Sequence, residues 1–192
     1  MSDGFFLWYR APWSRQGAAA VLRALATSEL TYRNPETGAV TLIARDAAGR
    51  IRRQEATETE LLDALLLTNA DRADFHLWLP DGLDVFTLVR RGPTGLVVDF
   101  ALDGLGDRQE QAIAALVRVA GRPQRSLQGF VLDRTGRTAA TDWNAVLAGT
   151  ERQLPHWPDL LALPHHHAER LTGPDPCPSA YQDGPLTVLA AR

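Results

Sequence analysis

Apolar and polar positions recur along this chain with two different periods, and each change of period marks the start of an element. Phe5 to Tyr9 is an unbroken apolar run closed by Ala11 and Pro12, the composition of a strand. From Ser14 onward, Ala18, Val21, Leu22 and Leu25 recur at i, i+3, i+4 and i+7, which puts one stripe on a helix ending near Ser28. The period then drops to two. Val40, Leu42 and Ala44 alternate with Thr41, Ile43 and Arg45, and the turn-forming stretch 46–49 leads into a second run over 50–55, so a hairpin is predicted. Thr57 followed by Glu60 is a capping box: the hydroxyl accepts the N3 amide and the carboxylate reaches back to the cap amide. A second helix therefore starts there, buries Leu61, Leu62, Leu65 and Leu66, and stops near Asn69. Asp107 and Glu110 repeat that spacing ahead of Ile113, Leu116, Val117 and Ala120, with Gly121 and Pro123 closing a third helix.

Between the second and third helices lie three strand-like runs, Asp74 to Leu79, Asp84 to Arg90 and Leu96 to Leu102. The turns joining them, Pro80-Asp81-Gly82 and residues 92–95, carry residues that preset or tolerate turn dihedrals, which predicts an antiparallel meander. Leu127 to Leu132 and Arg137 to Trp143 flank residues 133–136 as a further hairpin. This order predicts an α+β fold, mainly antiparallel sheet with about three helices packed on one face. After Thr150 the character changes: 7 of the 12 prolines fall in the last 42 residues, and only Pro158 to Leu163 reads as helical. The expected organisation is a single α+β domain over residues 1–150 and a Pro/His-rich tail over 151–192, wrapped on the domain through Trp157, Leu160 and Leu161.

Composition narrows the class without naming a function. An apolar fraction of 45% and a charged fraction of 22% are those of an ordinary globular chain. All 20 basic residues are arginine and isoleucine occurs only at Ile43, Ile51 and Ile113. The codon bias of a GC-rich, actinobacterial genome accounts for both, so arginine richness is not read as a nucleic-acid signal. A net charge of −3 argues against nucleic-acid binding, which uses a basic face to displace counterions. The charge is uneven, with 8 Arg against 5 acids over residues 1–56 and 3 Arg against 8 acids over 57–100. One cysteine, Cys177, forms no internal disulfide, the first residues lack a basic n-region, and no apolar run nears the roughly 18 residues of a membrane span. A soluble cytoplasmic protein without membrane contact is expected.

Candidate chemistry is sparse. His165, His166 and His167 lie near His156 and Glu169, but consecutive side chains diverge on any regular backbone, and only His165 and Glu169 share i, i+4 spacing. No native metal and no cofactor are expected. Cys177 sits among prolines, and neither a nucleophile elbow nor a glycine-rich phosphate loop occurs; Gly104 and Gly106 lead into the third helix. If Phe75, Leu77 and Leu79 face the core, His76 and Trp78 point the other way, while Asp99 and Asp103 point outward from the third meander strand. His76 and Asp99 then form either an acid–base pair or a structural one. Trp78 is either an anchor for a partner or buried under the tail. Glu58, Glu60, Asp63, Asp71, Asp74, Asp81 and Asp84 form a negative patch suited to a basic partner if they converge in space.

The aromatic opening Phe6-Leu7-Trp8-Tyr9, the amphipathic helix directly after it and the helix–meander–helix middle resemble, over residues 1–150, the small cytoplasmic immunity proteins of bacterial polymorphic-toxin systems. The resemblance implies a protein that binds and neutralises a cognate toxin, and it carries over no site residue. The residue pattern itself offers Trp78, His76, Asp99, Glu58, Asp63 and Asp81 as binding residues for a protein partner such as a basic toxin domain. The alternative expectation is a small enzyme or small-molecule binder using a cleft between the β-meander and the C-terminal tail, with His76, Asp99 and His156 as its polar groups.

Overall fold

A computed structural model describes residues 4–45, 50–120, 127–174 and 178–191 of the chain. The predicted turn at 46–49, the helix stop at Gly121 and Pro123, and Cys177 lie outside the described residues. The fold is α+β with antiparallel strand pairing, as expected. Its chain is divided between two units: Met1–Ala11, Gly92–Asp103 and Ser126–Arg192 form unit one, and Pro12–Arg91 with Gly104–Arg125 form unit two.

Unit two follows the sequence pattern closely. Ser14 accepts the Gly17 amide at 3.1 Å and opens helix α1 (Arg15–Ala26), whose Ala18, Val21, Leu22 and Leu25 are buried as the stripe predicts. Strands β2 (Val40–Arg45) and β3 (Ile51–Ala56) pair antiparallel. Helix α2 (Glu58–Leu65) begins at the capping box: Thr57 Oγ1 accepts the Glu60 amide at 3.2 Å, and Glu60 Oε2 accepts the Thr57 amide at 2.7 Å. The Trp13 indole donates to the Leu65 carbonyl at 2.8 Å and ties the entry of α1 to the end of α2. Strands β4 (Arg72–Trp78) and β5 (Asp84–Arg91) form a hairpin around Gly82, whose φ of +86° the Pro-Asp-Gly turn supplies. The strands run in the order β3-β2-β4-β5. Helix α3 (Gln109–Ala120) packs against α1.

In unit one, strand β1 (Phe5–Arg10) lies between β6 (Leu96–Ala101) and β7 (Leu127–Asp133), antiparallel to both. The third run of the expected meander, β6, thus has β1 as a partner. Beyond β7 follow β8 (Leu160–Pro164), β10 (Leu186–Ala190) and the edge strand β9 (Ser179–Asp183). One sheet face carries Leu7, Tyr9, Val97, Val131, Leu161 and Leu163, packed with Trp143, Val146 and Leu147 of helix α4 (Trp143–Leu147) and with Leu154 and Trp157. The other presents Phe6, Trp8, Phe100 and Phe130, whose rings meet edge to face or tilted at 4.7–6.3 Å. Helix α5 (His165–Ala168) is a single turn after β8.

Several expectations need correction. Residues 137–143 do not return as a strand. The Asp133 carboxylate at the end of β7 accepts the amides of Thr135, Gly136 and Thr138 and the hydroxyls of Thr135 and Thr138, and this curls the chain into a turn that ends at α4. The stretch read as helical, 158–163, is strand β8, because its leucines pair between β7 and β10. Residues after 150 therefore contribute strands to unit one, where a proline-rich tail was expected, and the helix count among the described residues is five, not about three. Asp107 is no N-cap: it sits inside a 3-10 turn (Gly106–Arg108) that precedes α3. The two helix starts should accordingly respond differently. Thr57→Ala is expected to cost about 0.5–2 kcal/mol and Asp107→Ala less than about 0.5 kcal/mol, read by urea denaturation of each variant.

Candidate functional site

Of the predicted site residues, His76 and Trp78 lie on one face of the unit-two sheet, while Glu58 and Asp63 are on α2 and Asp81 is in the turn before β5. Register places His76 opposite Phe86 and Trp78 opposite Asp84, so these four share a face with Asp74, Leu88 and Ile43. β4 is flanked by β5 on one side and by β2 and the Thr31 bridge on the other, so it is an inner strand of the unit. This is why both of its faces are buried: Phe75 and Leu77 as expected, but also Trp78 at 8% exposure and His76 at 4%. Trp78 is thus not an outward anchor.

His76 has a carboxylate neighbour, and it is Asp84. Nδ1 lies against the Asp84 carboxylate, while Nε2 is buried with no hydrogen-bond partner among the described residues. The ring packs 5.6 Å from Trp78 and 6.0 Å from Phe86. Burial lowers the imidazole pKa below its ordinary 6.5; the Asp84 charge opposes that and Arg53, whose guanidinium is 3.9 Å from Asp84, adds to it. A buried, neutral imidazole among aromatic rings suits packing better than proton transfer to a ligand. Asp99, the partner proposed from the sequence, belongs to unit one, half-buried on β6 opposite Leu7.

Of the acids named as a patch, Glu58, Asp63 and Asp81 are each held by an arginine, while the Glu60 carboxylate is taken up by Thr57 in the capping box. Glu58 takes Arg33 at 3.0 Å, with Tyr32 also bonded to the carboxylate and lowering its pKa. Asp63 takes Arg15, and Asp81 takes Arg108 at 2.7 Å. Charge pairing of this kind weakens the field of these three acids, and exposed pairs like these add little stability.

The histidine run is similarly engaged. His165 Nδ1 lies 2.7 Å from Thr187 Oγ1 and its Nε2 3.2 Å from the Gly184 carbonyl, while the His166 and His167 rings meet edge to face at 4.1 Å. Gly149 has φ +74° and its Cα lies so close to the His167 ring that an added Cβ would fall 2.6 Å from it. Burial first, then the neighbouring His166, lowers the His167 pKa. Among the described residues no group of three or more His, Cys, Asp and Glu is placed to hold a metal ion.

A shallow groove of about 370 Å³ opens on unit two where β2 and β4 separate. The two strands share only the pairs Leu42–Phe75 and Ile43–Asp74. Leu42, Ile43, Ala44 and Ala73 line the groove, with Arg72 and Asp74. Arg72 Nε donates to Asp74 at 2.9 Å and its NH2 group closes the second arm of the fork. The sequence names Asp84 only as one acid of the patch and not as the partner of His76, and it does not point to the arginines of β4 and β5. The strand was read from Asp74, which leaves Arg72 outside it, and without the register no spacing along the chain brings Arg72 to Arg90.

Comparison with protein-family models, with curated proteins and with solved structures gives no significant match. No described helix is long and apolar enough to cross a membrane.

Proposed function

We propose that this chain is a protein-binding module whose partner seats on the partly exposed face of the unit-two sheet. The observation that carries the reading is the alternation along β5. Val85, Thr87 and Val89 are fully buried, while Phe86 and Leu88 on the opposite face stay partly exposed, as does Ile43 beside them. A solvated sheet face carries polar side chains at such positions. An apolar centre with arginines around it, here Arg53, Arg72 and Arg90, has instead the composition of a protein contact surface. The resemblance to immunity proteins gives this binding a biological form, in which the module neutralises a bacterial toxin by covering its working surface.

The test is the dissociation rate of the chain from the product of the gene adjacent to its own. The double variant Phe86→Ala, Leu88→Ala is expected to raise that rate by about tenfold or more, since truncating central apolar contacts acts mainly on dissociation. Arg152→Ala in unit one, an exposed control, should leave it unchanged. No binding of that product, or equal dissociation of wild type and the double variant, removes the reading.

A further inference from the structure

Strand β3 closes one edge of the unit-two sheet, with β2 as its one strand neighbour among the described residues. Along an antiparallel strand every second residue turns its N–H and C=O to the neighbour and the rest turn theirs away, so the outward groups of β3 are left without a ladder. Residues Ile51 to Glu55 are all exposed, Ile51 at 61%, and helix α2 packs on β2 and β4, which leaves this edge clear on both faces. Arg53 and Glu55 lie on one face of the strand, with Gln54 between them on the other. Neither charge has a firm partner at home. The ladder sets Ile43 opposite Arg53 and Thr41 opposite Glu55; Arg53 reaches Asp84 only at 3.9 Å with 65% of its side chain exposed, and Glu55 makes no ion pair among the described residues.

That pattern is complementary to itself. A symmetric antiparallel pair of edges has its two-fold axis perpendicular to the sheet, which sets one residue opposite its own copy and keeps like faces together. With Gln54 on the axis, each Arg53 stands directly opposite the Glu55 of the second copy, Arg52 stands opposite Ala56, and the two Gln54 amides, each donor and acceptor, meet across the axis. Registers centred on Arg52, Arg53 or Glu55 place like charges face to face, which a sheet disfavours. Charge thus selects one register. The edge strand of unit one, β9, is as exposed but carries a single charge, Asp183, and has no such pattern.

We infer that β3 is a self-association edge, on which a second copy of this chain pairs antiparallel with Gln54 against Gln54 and Arg53 against Glu55, joining two unit-two sheets into one. Any extended chain can satisfy the outward amides; the placement of Arg53 and Glu55 about Gln54 is what commits the edge to a second copy. The axis leaves the face that carries Phe86 and Leu88 on the same side in both copies, so the inference goes beyond the protein-binding reading and does not rest on it.

Sedimentation equilibrium of the wild-type chain over a concentration series should show a monomer–dimer equilibrium. Glu55→Arg, which turns both cross-strand ion pairs into like-charge pairs, should raise the dissociation constant about tenfold or more, and the swap Arg53→Glu, Glu55→Arg, which restores opposite charges across the axis, should bring most of the association back. Tyr181→Asp on β9 should leave the constant unchanged. Cysteine trapping in a Cys177→Ser background reads the register separately. Residues that face their own copy have Cα atoms about 4.5–5.5 Å apart, inside the disulfide range of about 4.4–6.8 Å, so Gln54→Cys should give a linked dimer on mild oxidation, whereas the two copies of position 55 stand about 8 Å apart and Glu55→Cys should stay largely unlinked. A wild-type chain that is monomeric at every concentration, a dimer indifferent to Glu55→Arg, a swap no better than Glu55→Arg, or equal trapping through positions 54 and 55 overturns the inference. So does a dimer abolished by Tyr181→Asp, which would assign self-association to β9.

Discussion

Asp133→Ala is expected to lower the stability of the chain by about 4 kcal/mol, with a fall in melting temperature on the order of 10 °C. The carboxylate is fully buried at the end of β7 and accepts three amides and two hydroxyls, at 2.6–3.2 Å, from Thr135, Gly136 and Thr138. Removing it leaves buried donors unsatisfied, at about 1–3 kcal/mol each, and frees the turn that leads into α4. Asp133→Asn keeps the size and one oxygen and should lose less. The effect has a defined pH dependence. Burial raises the Asp133 pKa, but the bonds from Thr138, Thr135 and Gly136 together outweigh it and hold the group below its ordinary 3.8. The folded state therefore binds fewer protons here than the unfolded state, so the contribution is complete above the unfolded value of 3.8 and is lost as pH falls through the lower folded value. Urea titrations of wild type and Asp133→Ala at neutral pH and at acid pH check both statements. Curves that coincide at neutral pH would mean that this turn does not depend on Asp133.

The contrast between the two units shows which physics is readable in a single sequence. Unit two is built from local signals: a Ser14 cap, the Thr57–Glu60 box, helical stripes, and a Pro-Asp-Gly turn, each fixed by residues a few positions apart. Those signals led to the right elements. Unit one is held by pairings distant in sequence, β1 with β6 and β7, and β8 with β10, and no spacing encodes them. Leu160 to Pro164 is too short for its period to separate strand from helix, and the partner strands decide. The failure at 137–143 has a different source. Asp133 looks like a turn residue in sequence, but the number of donors it gathers is visible only when Thr138 is folded back onto it.

The candidate site divides along the same line. That His76 and Trp78 share a face follows from the two-residue period of a strand and holds in the structure. That this face is buried at Trp78 but partly exposed at Phe86 depends on β4 being an inner strand, which alternation cannot show. The acidic run was legible as composition, whereas its neutralisation was not. Arg15, Arg33 and Arg108 lie 25 to 48 positions from Asp63, Glu58 and Asp81. Only the fold brings them together.

Trp157→Ala is expected to cost about 3–5 kcal/mol, because its indole is a wall of the unit-one core and not an attachment point for a loose tail. It packs with Trp143, Leu154, Leu161 and Leu163, so truncation leaves a large cavity beside β8. Its Nε1 donates to the Pro174 carbonyl at 2.8 Å, and Gly173 lies so close to the ring that an added Cβ would stand 2.6 Å from it. The Trp157 carbonyl in turn accepts the Arg137 guanidinium at 2.8 Å, which ties the segment to the turn organised by Asp133. Trp157→Phe separates these contributions: it keeps most of the apolar contact, loses the bond to Pro174, and should cost about 1–3 kcal/mol. Calorimetric melting of the two variants checks the order. For a residue that merely rests a wrapped tail on a finished domain, both changes would leave the melting temperature within a degree or two of wild type, and strands β8 and β10 would not then be part of the unit-one core.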